Sequence, residues 1–182
     1  MARPGVFLDR DGVVNRAAVV DGHPFPPASV GELEILPGVV DACAQFRRAG
    51  LAVIVVTNQP DVARGSTTRS SIEAINDALC ARVPVDELVV CFHDDADACG
   101  CRKPAPGLLV EAAQRWSIAL NESVMVGDRW SDVRAGHEAG CATIWVDNGY
   151  DERRPDEQDL TVANLADAVP WILAHCRAGA AT

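Results

Sequence analysis

Short apolar runs alternate along the chain with longer segments in which apolar residues recur every three or four positions. The run 51–56 is typical of a parallel strand covered on both faces, and the spacing in 37–49 predicts an amphipathic helix that ends at Gly50. Further strands are predicted at 6–8, 88–92, 123–127 and 141–146, and further helices at 68–82, 106–116, 130–139 and 162–175. This alternation predicts an α/β fold with a mostly parallel sheet and helices on both faces.

The stretch 16–37 interrupts the alternation. It contains Pro24, Pro26 and Pro27, and prolines at this density exclude a regular helix. Because the stretch follows directly on a pair of carboxylates, we expect an ordered flap that leans over them. A plain connecting loop is the alternative, although loops of this length in compact domains are usually functional or disordered.

Length and composition favour one globular domain over residues 1–182, with a frayed tail at 177–182. The formal charge of −10 argues against non-specific binding to nucleic acid. The longest wholly apolar run, 51–56, is too short to span a bilayer, and no signal peptide is recognised at the start. We therefore expect a cytoplasmic monomer that acts on a small molecule, with neither nucleic acid nor membrane as a partner.

Polar side chains follow three of the predicted strands. Asp9 and Asp11 come after the first strand, Thr57 and Asn58 after the second, and Asp128 after the fourth. The carboxyl ends of parallel strands meet at one edge of a sheet, so we expect these groups to lie together. An Asp-Gly turn with a capping carboxylate would explain the first pair alone, but not the convergence of all five.

Lys103 is the single lysine among 16 basic residues. Since the chain otherwise uses arginine, this lysine indicates a position that requires the compact point charge of an ammonium group. Chance retention of one lysine is the alternative.

This combination of groups suits Mg²⁺ and a phosphate. Asp9, Asp128 and the backbone carbonyl of Asp11 can ligate Mg²⁺, and Asp9 can attack phosphorus because Mg²⁺ and Lys103 neutralise the anion. Asp11 can donate and accept the proton. The candidate phosphate- and substrate-binding residues are Arg10, Thr57, Asn58, Arg64, Arg102, Lys103 and Arg129. A non-catalytic protein that only binds a phosphorylated metabolite is the rival, but it would not need Asp11.

Four ordered motifs resemble those of the haloacid dehalogenase superfamily of aspartate-nucleophile phosphatases. They are Asp9-x-Asp11-Gly12, Thr57, Lys103 and Gly127-Asp128-x-x-x-Asp132. The resemblance covers residues 6–147 and implies a Rossmann-like three-layer sandwich, an aspartyl-phosphate intermediate and Mg²⁺. Asp132 matches the last motif position and is left open between a metal contact and a helix cap. The chain has no room for a large cap domain.

Within that superfamily the chain resembles the branch of D-glycero-D-manno-heptose 1,7-bisphosphate 7-phosphatases and histidinol-phosphate phosphatases. The segments that carry this resemblance are 9–12, 56–59, 63–65 and 101–104. The four arginines exceed what one phosphate needs, which favours the sugar bisphosphate. Histidinol phosphate is the alternative, because the acidic rim of Asp94, Asp95 and Asp97 can attract a cationic amine. Pro60-Asp61 stands where the branch usually has Ser-Gly, and 16–36 departs from its common flap pattern.

Four soft ligands fall within eleven residues: Cys91, His93, Cys99 and Cys101. Their spacing predicts a closed tetrahedral site for a structural Zn²⁺ in an inserted loop, 91–101, and the branch has such a loop. The five residues between His93 and Cys99 are the spacing associated with histidinol-phosphate phosphatases. Reduced cysteines that merely cluster are the alternative, and the loop can also serve as an interaction module. Zinc here would brace the chain that delivers Arg102 and Lys103.

Overall fold

A six-stranded parallel sheet forms the centre of the structure, a computed structural model that describes residues 2–179. Its strands are β1 (Gly5–Leu8), β4 (Ala52–Asn58), β5 (Glu87–Cys91), β6 (Val124–Gly127), β7 (Ala142–Val146) and β8 (Leu160–Val162). They lie in the order β5-β4-β1-β6-β7-β8, and each neighbouring pair is parallel. β1 therefore lies between β4 and β6, near the middle of the sheet.

Helices cover both faces of this sheet. α1 (Val39–Arg48), α2 (Arg69–Cys80) and α5 (Leu165–Gly179) pack on one face, and α3 (Gly107–Trp116) and α4 (Trp130–Ala139) pack on the other. Side chains of β1 alternate between the two cores, with Val6 and Leu8 in the first and Phe7 in the second. Burial of each such side chain contributes roughly 1.5–3 kcal/mol. The predicted three-layer sandwich is confirmed.

Two strands outside the main sheet form a hairpin that the sequence pattern did not assign. β2 (Ala18–Val20) and β3 (His23–Phe25) pair antiparallel across Asp21 and Gly22. Both turn residues have positive φ, 49° and 81°, which suits the right-handed twist of the two strands. An Asp-Gly dipeptide between apolar residues is a hairpin signal, and here it lies within the stretch predicted to be a flap.

The end of the chain differs from the prediction in one element. Residues 160–162 form β8 beside β7, and the last helix begins at Leu165 rather than at 162. Asn164 stops the strand and caps the helix, because its Oδ1 accepts a hydrogen bond from the Asp167 N–H at 3.1 Å. The helix is described to Gly179, and the rest of the predicted frayed tail lies outside the described residues. Between residues 2 and 179, no helix is long and apolar enough to cross a membrane.

Candidate active site

Three neighbouring strands end together at the carboxyl edge of the sheet. Asp9 follows β1, Thr57 lies near the end of β4, and Asp128 follows β6. The Asp9 N–H donates to the Val126 carbonyl at 2.9 Å, which ties the first carboxylate to the strand that leads to Asp128. Since β1 lies between β4 and β6, Asp9 stands at the centre of the three. The structure thus brings together the side chains whose convergence the sequence predicts.

The ammonium of Lys103 is buried at this point and uses all three of its donors within the protein. It bonds to Asp9 Oδ1 at 2.5 Å, to Asp132 Oδ1 at 2.6 Å and to the Val56 carbonyl at 2.8 Å. Burial lowers the pKa of Lys103, but Asp132 and Asp9 outweigh that effect and raise the pKa above its ordinary value. Lys103 is therefore a fixed positive charge beside Asp9.

Asn58 places Lys103 rather than facing the cavity with a free amide. Its Nδ2 donates to the Lys103 carbonyl at 2.9 Å, and its Oδ1 accepts from the Lys103 N–H at 3.1 Å. This reciprocal pair joins the end of β4 to the loop before α3. The amide predicted to grip phosphate thus has both functional atoms engaged by the backbone that carries the lysine.

Asp9, Asp128 and Asp132 offer carboxylate oxygens within 4.8 Å of one another. Burial raises the pKa of Asp9 to about 7 although Lys103 opposes it, and burial followed by the charge of Asp9 raises the pKa of Asp128 well above its usual value. Asp128 Oδ1 is buried and has no hydrogen-bond partner within residues 2–179. Such carboxylates can stay ionised beside a divalent cation, so the donor set fits an oxygen-ligated Mg²⁺.

Two further residues, Asp132 and Gly12, support the carboxylate cluster. Both oxygens of Asp132 are engaged, Oδ1 by Lys103 and Oδ2 by the Arg129 N–H at 3.0 Å at the start of α4. Gly12, with φ of +88°, lies so close to Asp128 that a Cβ there would overlap Asp128 Oδ2. Asp132 therefore has the contacts of a helix cap and a lysine partner, and Gly12 makes room for the carboxylate of Asp128.

Asp11 lies apart from this cluster and is held by three donor side chains. Arg10 donates to both of its oxygens at 3.0–3.2 Å, Asn15 Nδ2 to Oδ1 at 3.0 Å, and Gln59 Nε2 to Oδ2 at 2.8 Å. Gln59 also donates to Thr57 Oγ1 at 3.0 Å. The carboxyl group is thus fixed in one orientation at the edge of the cavity.

Comparisons with known proteins agree with this geometry. The model of the HAD-hydrolase-like family matches residues 100–168. A D-glycero-beta-D-manno-heptose-1,7-bisphosphate 7-phosphatase from Pseudomonas putida is 37% identical over 153 residues, which are 81% of this chain and 85% of the relative. The enzyme of the same name from Mesorhizobium japonicum is 37% identical over 158 residues, 80% of this chain and 70% of the relative. The chain belongs to the HAD-like phosphatase family.

A solved structure extends the similarity to the whole fold. The D,D-heptose 1,7-bisphosphate phosphatase from B. bronchiseptica, complexed with magnesium and phosphate, superposes with a TM-score of 0.77 at 31% identity. The match covers 94% of this chain and 98% of that one. The HAD-like phosphatase described here therefore shares the arrangement of that enzyme across nearly its full length.

The cavity of this HAD-like phosphatase has a volume of about 280 Å³ and opens beside Asp9. The β2–β3 hairpin forms one wall with His23, Pro24 and Phe25. The Asp151 N–H donates to the Gly22 carbonyl at 2.9 Å and so holds the turn of the hairpin in place. The predicted flap thus lines the same cavity as the carboxylates.

Two of the four predicted arginines do not line the cavity. The Arg10 side chain is fully buried, and its guanidinium is shared between Asp11 and Asn76 Oδ1, the latter at 2.7 Å. Arg102 turns to Asp95, which accepts from its Nε at 2.8 Å. Neither guanidinium lines the cavity in this placement, and the binding of substrate by Arg10 and Arg102 stays a prediction.

Arg64 and Arg129 do line the cavity, on different sides. Arg64 pairs with Asp94 at 2.6 Å, and Arg129 pairs with Glu152 at 2.6 Å. Both side chains remain almost half exposed, 42% and 46%. Such exposed pairs are weak, so a phosphate that enters the cavity can compete for either guanidinium.

The cysteine loop brings its four predicted ligands together. The sulfurs of Cys91, Cys99 and Cys101 lie 3.2–3.7 Å apart, and His93 Nδ1 lies 3.5 Å from Cys91 Sγ and 3.3 Å from Cys101 Sγ. A tetrahedron with metal–sulfur bonds of about 2.3 Å has sulfur–sulfur edges of roughly 3.8 Å. The arrangement fits a zinc ion with a small expansion.

Several cavity residues were not predicted. They are His23, Gln59, Asp61, Ser131 and Glu152. Gln59 had a local signal, since it extends the polar group at the end of β4. His23 lies in the stretch predicted to be a flap but was not singled out there. Glu152 had no signal, because its nearness depends on how the hairpin and the loop after β7 meet in three dimensions.

Proposed function

We propose that this chain is a Mg²⁺-dependent phosphomonoesterase that removes the 7-phosphate of D-glycero-β-D-manno-heptose 1,7-bisphosphate. One observation carries the proposal: Asp9 lies at the centre of three strand ends, with Lys103 and Asp128 beside it and Asp11 held at the cavity edge. The names of the relatives and the near-complete structural match support the same substrate.

Asp9 acts as the nucleophile in this proposal. Its carboxylate oxygen forms a bond to phosphorus as the bond between phosphorus and the sugar oxygen breaks, which yields an aspartyl phosphate. Lys103 holds Asp9 Oδ1, so the attacking group does not rotate. Asp9, Asp128 and the backbone carbonyl of Asp11 would hold Mg²⁺. When bound, the ion would neutralise the phosphoryl charge.

Asp11 moves the proton in both halves of the reaction. It first protonates the departing sugar oxygen, and its carboxylate then accepts a proton from the water that attacks phosphorus and releases Asp9. The bonds from Arg10, Asn15 and Gln59 orient the carboxyl group for both steps. Thr57, buried beside Asp9, is placed to bind a phosphoryl oxygen through its hydroxyl.

Arg64 and Arg129 are the two cavity arginines available for the second phosphate. The structural argument for histidinol phosphate is weaker, because none of the three rim carboxylates lines the cavity. Asp94 and Asp95 pair with Arg64 and Arg102, and Asp97 accepts from the Asp94 N–H at 2.7 Å. These carboxylates face their own loop and Arg64 and Arg102, so they do not present a partner for a cationic amine inside the cavity.

A parallel assay tests the substrate. We expect kcat/KM to be highest for the β anomer of heptose 1,7-bisphosphate when both anomers, fructose 1,6-bisphosphate and histidinol phosphate are compared at one Mg²⁺ concentration. A preference of about tenfold corresponds to roughly 1.4 kcal/mol of transition-state stabilisation. A preference of that size for histidinol phosphate would contradict the substrate assignment and leave the phosphatase assignment intact.

We further propose that Cys91, His93, Cys99 and Cys101 hold one structural Zn²⁺. Four protein ligands close the site and leave no position for a substrate. The Arg102 N–H donates to Cys99 Sγ at 3.3 Å, so the last ligands continue directly into the segment that carries Lys103. Gly107, at the start of α3, donates from its N–H to the Gly100 carbonyl at 3.0 Å and joins the loop to that helix.

Cys101→Ser should remove the zinc, lower Tm and reduce kcat. We expect a loss of about 3 kcal/mol, which corresponds to roughly 6–12 °C for a chain of this size. Elemental analysis, thermal unfolding and turnover measure the three effects. Cys80→Ser is the matched control, because Cys80 is exposed and lies outside the loop. Purified wild-type protein that is folded and active without stoichiometric zinc would disprove the assignment.

A further inference from the structure

Asn148 and Tyr150 lie in the loop after β7 and contact the carboxylate side of the catalytic centre. Asn148 Nδ2 lies 3.0 Å from the Gly12 carbonyl, 3.4 Å from Asp128 Oδ2 and 3.1 Å from the Tyr150 hydroxyl. The Tyr150 hydroxyl and Asp128 Oδ2 both border the space above Gly12, where a Cβ would lie 2.8 Å from the hydroxyl and would overlap Oδ2. The two side chains thus form a small network around one residue of the carboxylate cluster.

The two oxygens of Asp128 have different surroundings. Oδ2 faces Asn148 and the space above Gly12, whereas Oδ1 is buried and has no hydrogen-bond partner in the described part of the chain. The backbone of Asp128 is held as well, since Trp145 Nε1 donates to its carbonyl at 2.9 Å. The terminal torsion of an aspartate is soft, so its carboxylate plane is set by such contacts.

We propose that Tyr150 and Asn148 are positioning residues that fix the plane of the Asp128 carboxylate so that Oδ1 faces the divalent cation. The inference rests on the proposed function, because it assigns the support of a ligand in the proposed Mg²⁺ site. Hydrogen-bond partners of metal-ligating carboxylates set ligand orientation, and their removal typically weakens metal binding by about 10–100-fold.

Asn148 also joins the two sides of that site. Gly12 directly follows Asp11, whose backbone carbonyl is a proposed Mg²⁺ ligand, and Asn148 donates to the carbonyl of Gly12 and to Asp128 from one amide nitrogen. Loss of this amide therefore loosens the turn after β1 and the carboxylate after β6 together. Loss of the Tyr150 hydroxyl removes its contacts with Asp128 and with the Asn148 amide but leaves the bond from Asn148 to the Gly12 carbonyl in place. We expect Asn148→Ala to have the larger effect of the two.

The test measures Mg²⁺ binding separately from turnover. The dependence of Tm on Mg²⁺ concentration, without substrate, yields the dissociation constant, because a ligand that binds the folded state raises Tm by mass action. We expect Tyr150→Phe to weaken Mg²⁺ binding by about tenfold and Asn148→Ala by more. In turnover assays, saturating Mg²⁺ should restore most of the kcat of Tyr150→Phe. If the Tyr150 hydroxyl only supported the fold, high Mg²⁺ would not restore the kcat of Tyr150→Phe.

Asn164→Ala is the matched control. It removes an amide with a comparable number of hydrogen bonds, but that amide caps α5 through Asp167 and forms no hydrogen bond with Asp128 or Gly12. It should lower Tm and leave the Mg²⁺ dissociation constant within twofold of wild type. Tyr150→Phe retains the ring and keeps the test valid if Asn148→Ala does not fold. If wild type binds Mg²⁺ and Tyr150→Phe binds it equally well, the inference is wrong but the proposed function stands. If wild type binds no Mg²⁺, the proposed function is wrong as well.

Discussion

Replacing Asp9 by Asn should reduce kcat for phosphate-ester hydrolysis by about 10⁴-fold or more, as removal of a covalent nucleophile does in other enzymes. Asparagine has nearly the same shape, and its carbonyl oxygen can still accept from Lys103, which keeps its second carboxylate partner, Asp132, at 2.6 Å. The fold should therefore survive. The loss then reports the missing nucleophile rather than a collapsed site.

Two measurements make this prediction specific. Turnover of an aryl phosphate with Mg²⁺ gives the rate, and acid quenching of the wild type during turnover should trap a phosphorylated peptide that contains Asp9 and is missing in the variant. Asp41→Asn is the matched control, since Asp41 is exposed on α1, and it should retain wild-type turnover. If Asp9→Asn hydrolyses the ester at the wild-type rate, Asp9 is not the nucleophile.

The central part of the site could be predicted because it depends only on where parallel strands end. Asp9, Thr57 and Asp128 each stand at the carboxyl end of a strand with a clear apolar run, and parallel strands bring those ends to one edge. No side-chain conformation is needed for that step. The zinc quartet was equally accessible, because its four residues lie within eleven positions of sequence and a short loop can scarcely separate them.

The arginines could not be placed in the same way. A guanidinium sits at the end of a long side chain, so its partner depends on which carboxylate the tertiary structure brings within reach. Arg10 follows Asp9 directly, yet its side chain turns into the core to Asp11 and Asn76. Arg129 lies next to Asp128, and its charge is paired with Glu152, 23 residues along the chain. Both arginines follow a catalytic carboxylate directly in sequence, yet only Arg129 lines the cavity, so sequence proximity alone did not predict which guanidinium faces it.

The residues that contact Asp128 also could not be predicted from the sequence. Asn148 and Tyr150 lie 20 and 22 positions after Asp128, beyond a helix and a strand, and their loop carries no recognisable motif. Their contacts arise because β6 and β7 are neighbours, so the loop after one strand meets the loop after the other. Residues that support a catalytic side chain in this way can be identified only when the packing of the strand ends is known.

Replacing Asp11 by Asn should separate the two halves of the reaction. A sugar oxygen is a poor leaving group and needs the proton, so we expect kcat for the heptose bisphosphate to fall by about 10²–10⁴-fold. An aryl oxygen leaves without protonation, and the first half-reaction with an aryl phosphate should stay fast. The second half then lacks its base. The variant should release a burst of phenol equal to the enzyme concentration, followed by a slow steady rate as the Asp9 phosphate accumulates.

The environment of Asp11 requires that this chemical effect be separated from a loss of stability. The amide introduced by Asp11→Asn would present a donor nitrogen to side chains that themselves donate, and Arg10, which is fully buried, would lose its carboxylate partner. Breaking such a buried pair costs about 3–5 kcal/mol. Asn76→Ala is the control, because it removes the buried acceptor of Arg10 at 2.7 Å but leaves every donor to the Asp11 carboxyl group in place; it should lower Tm without producing a burst. Stopped-flow absorbance measures the burst and thermal unfolding measures stability. If Asp11→Asn hydrolyses the sugar phosphate with a kcat within tenfold of wild type and shows no burst on the aryl ester, another group transfers the proton.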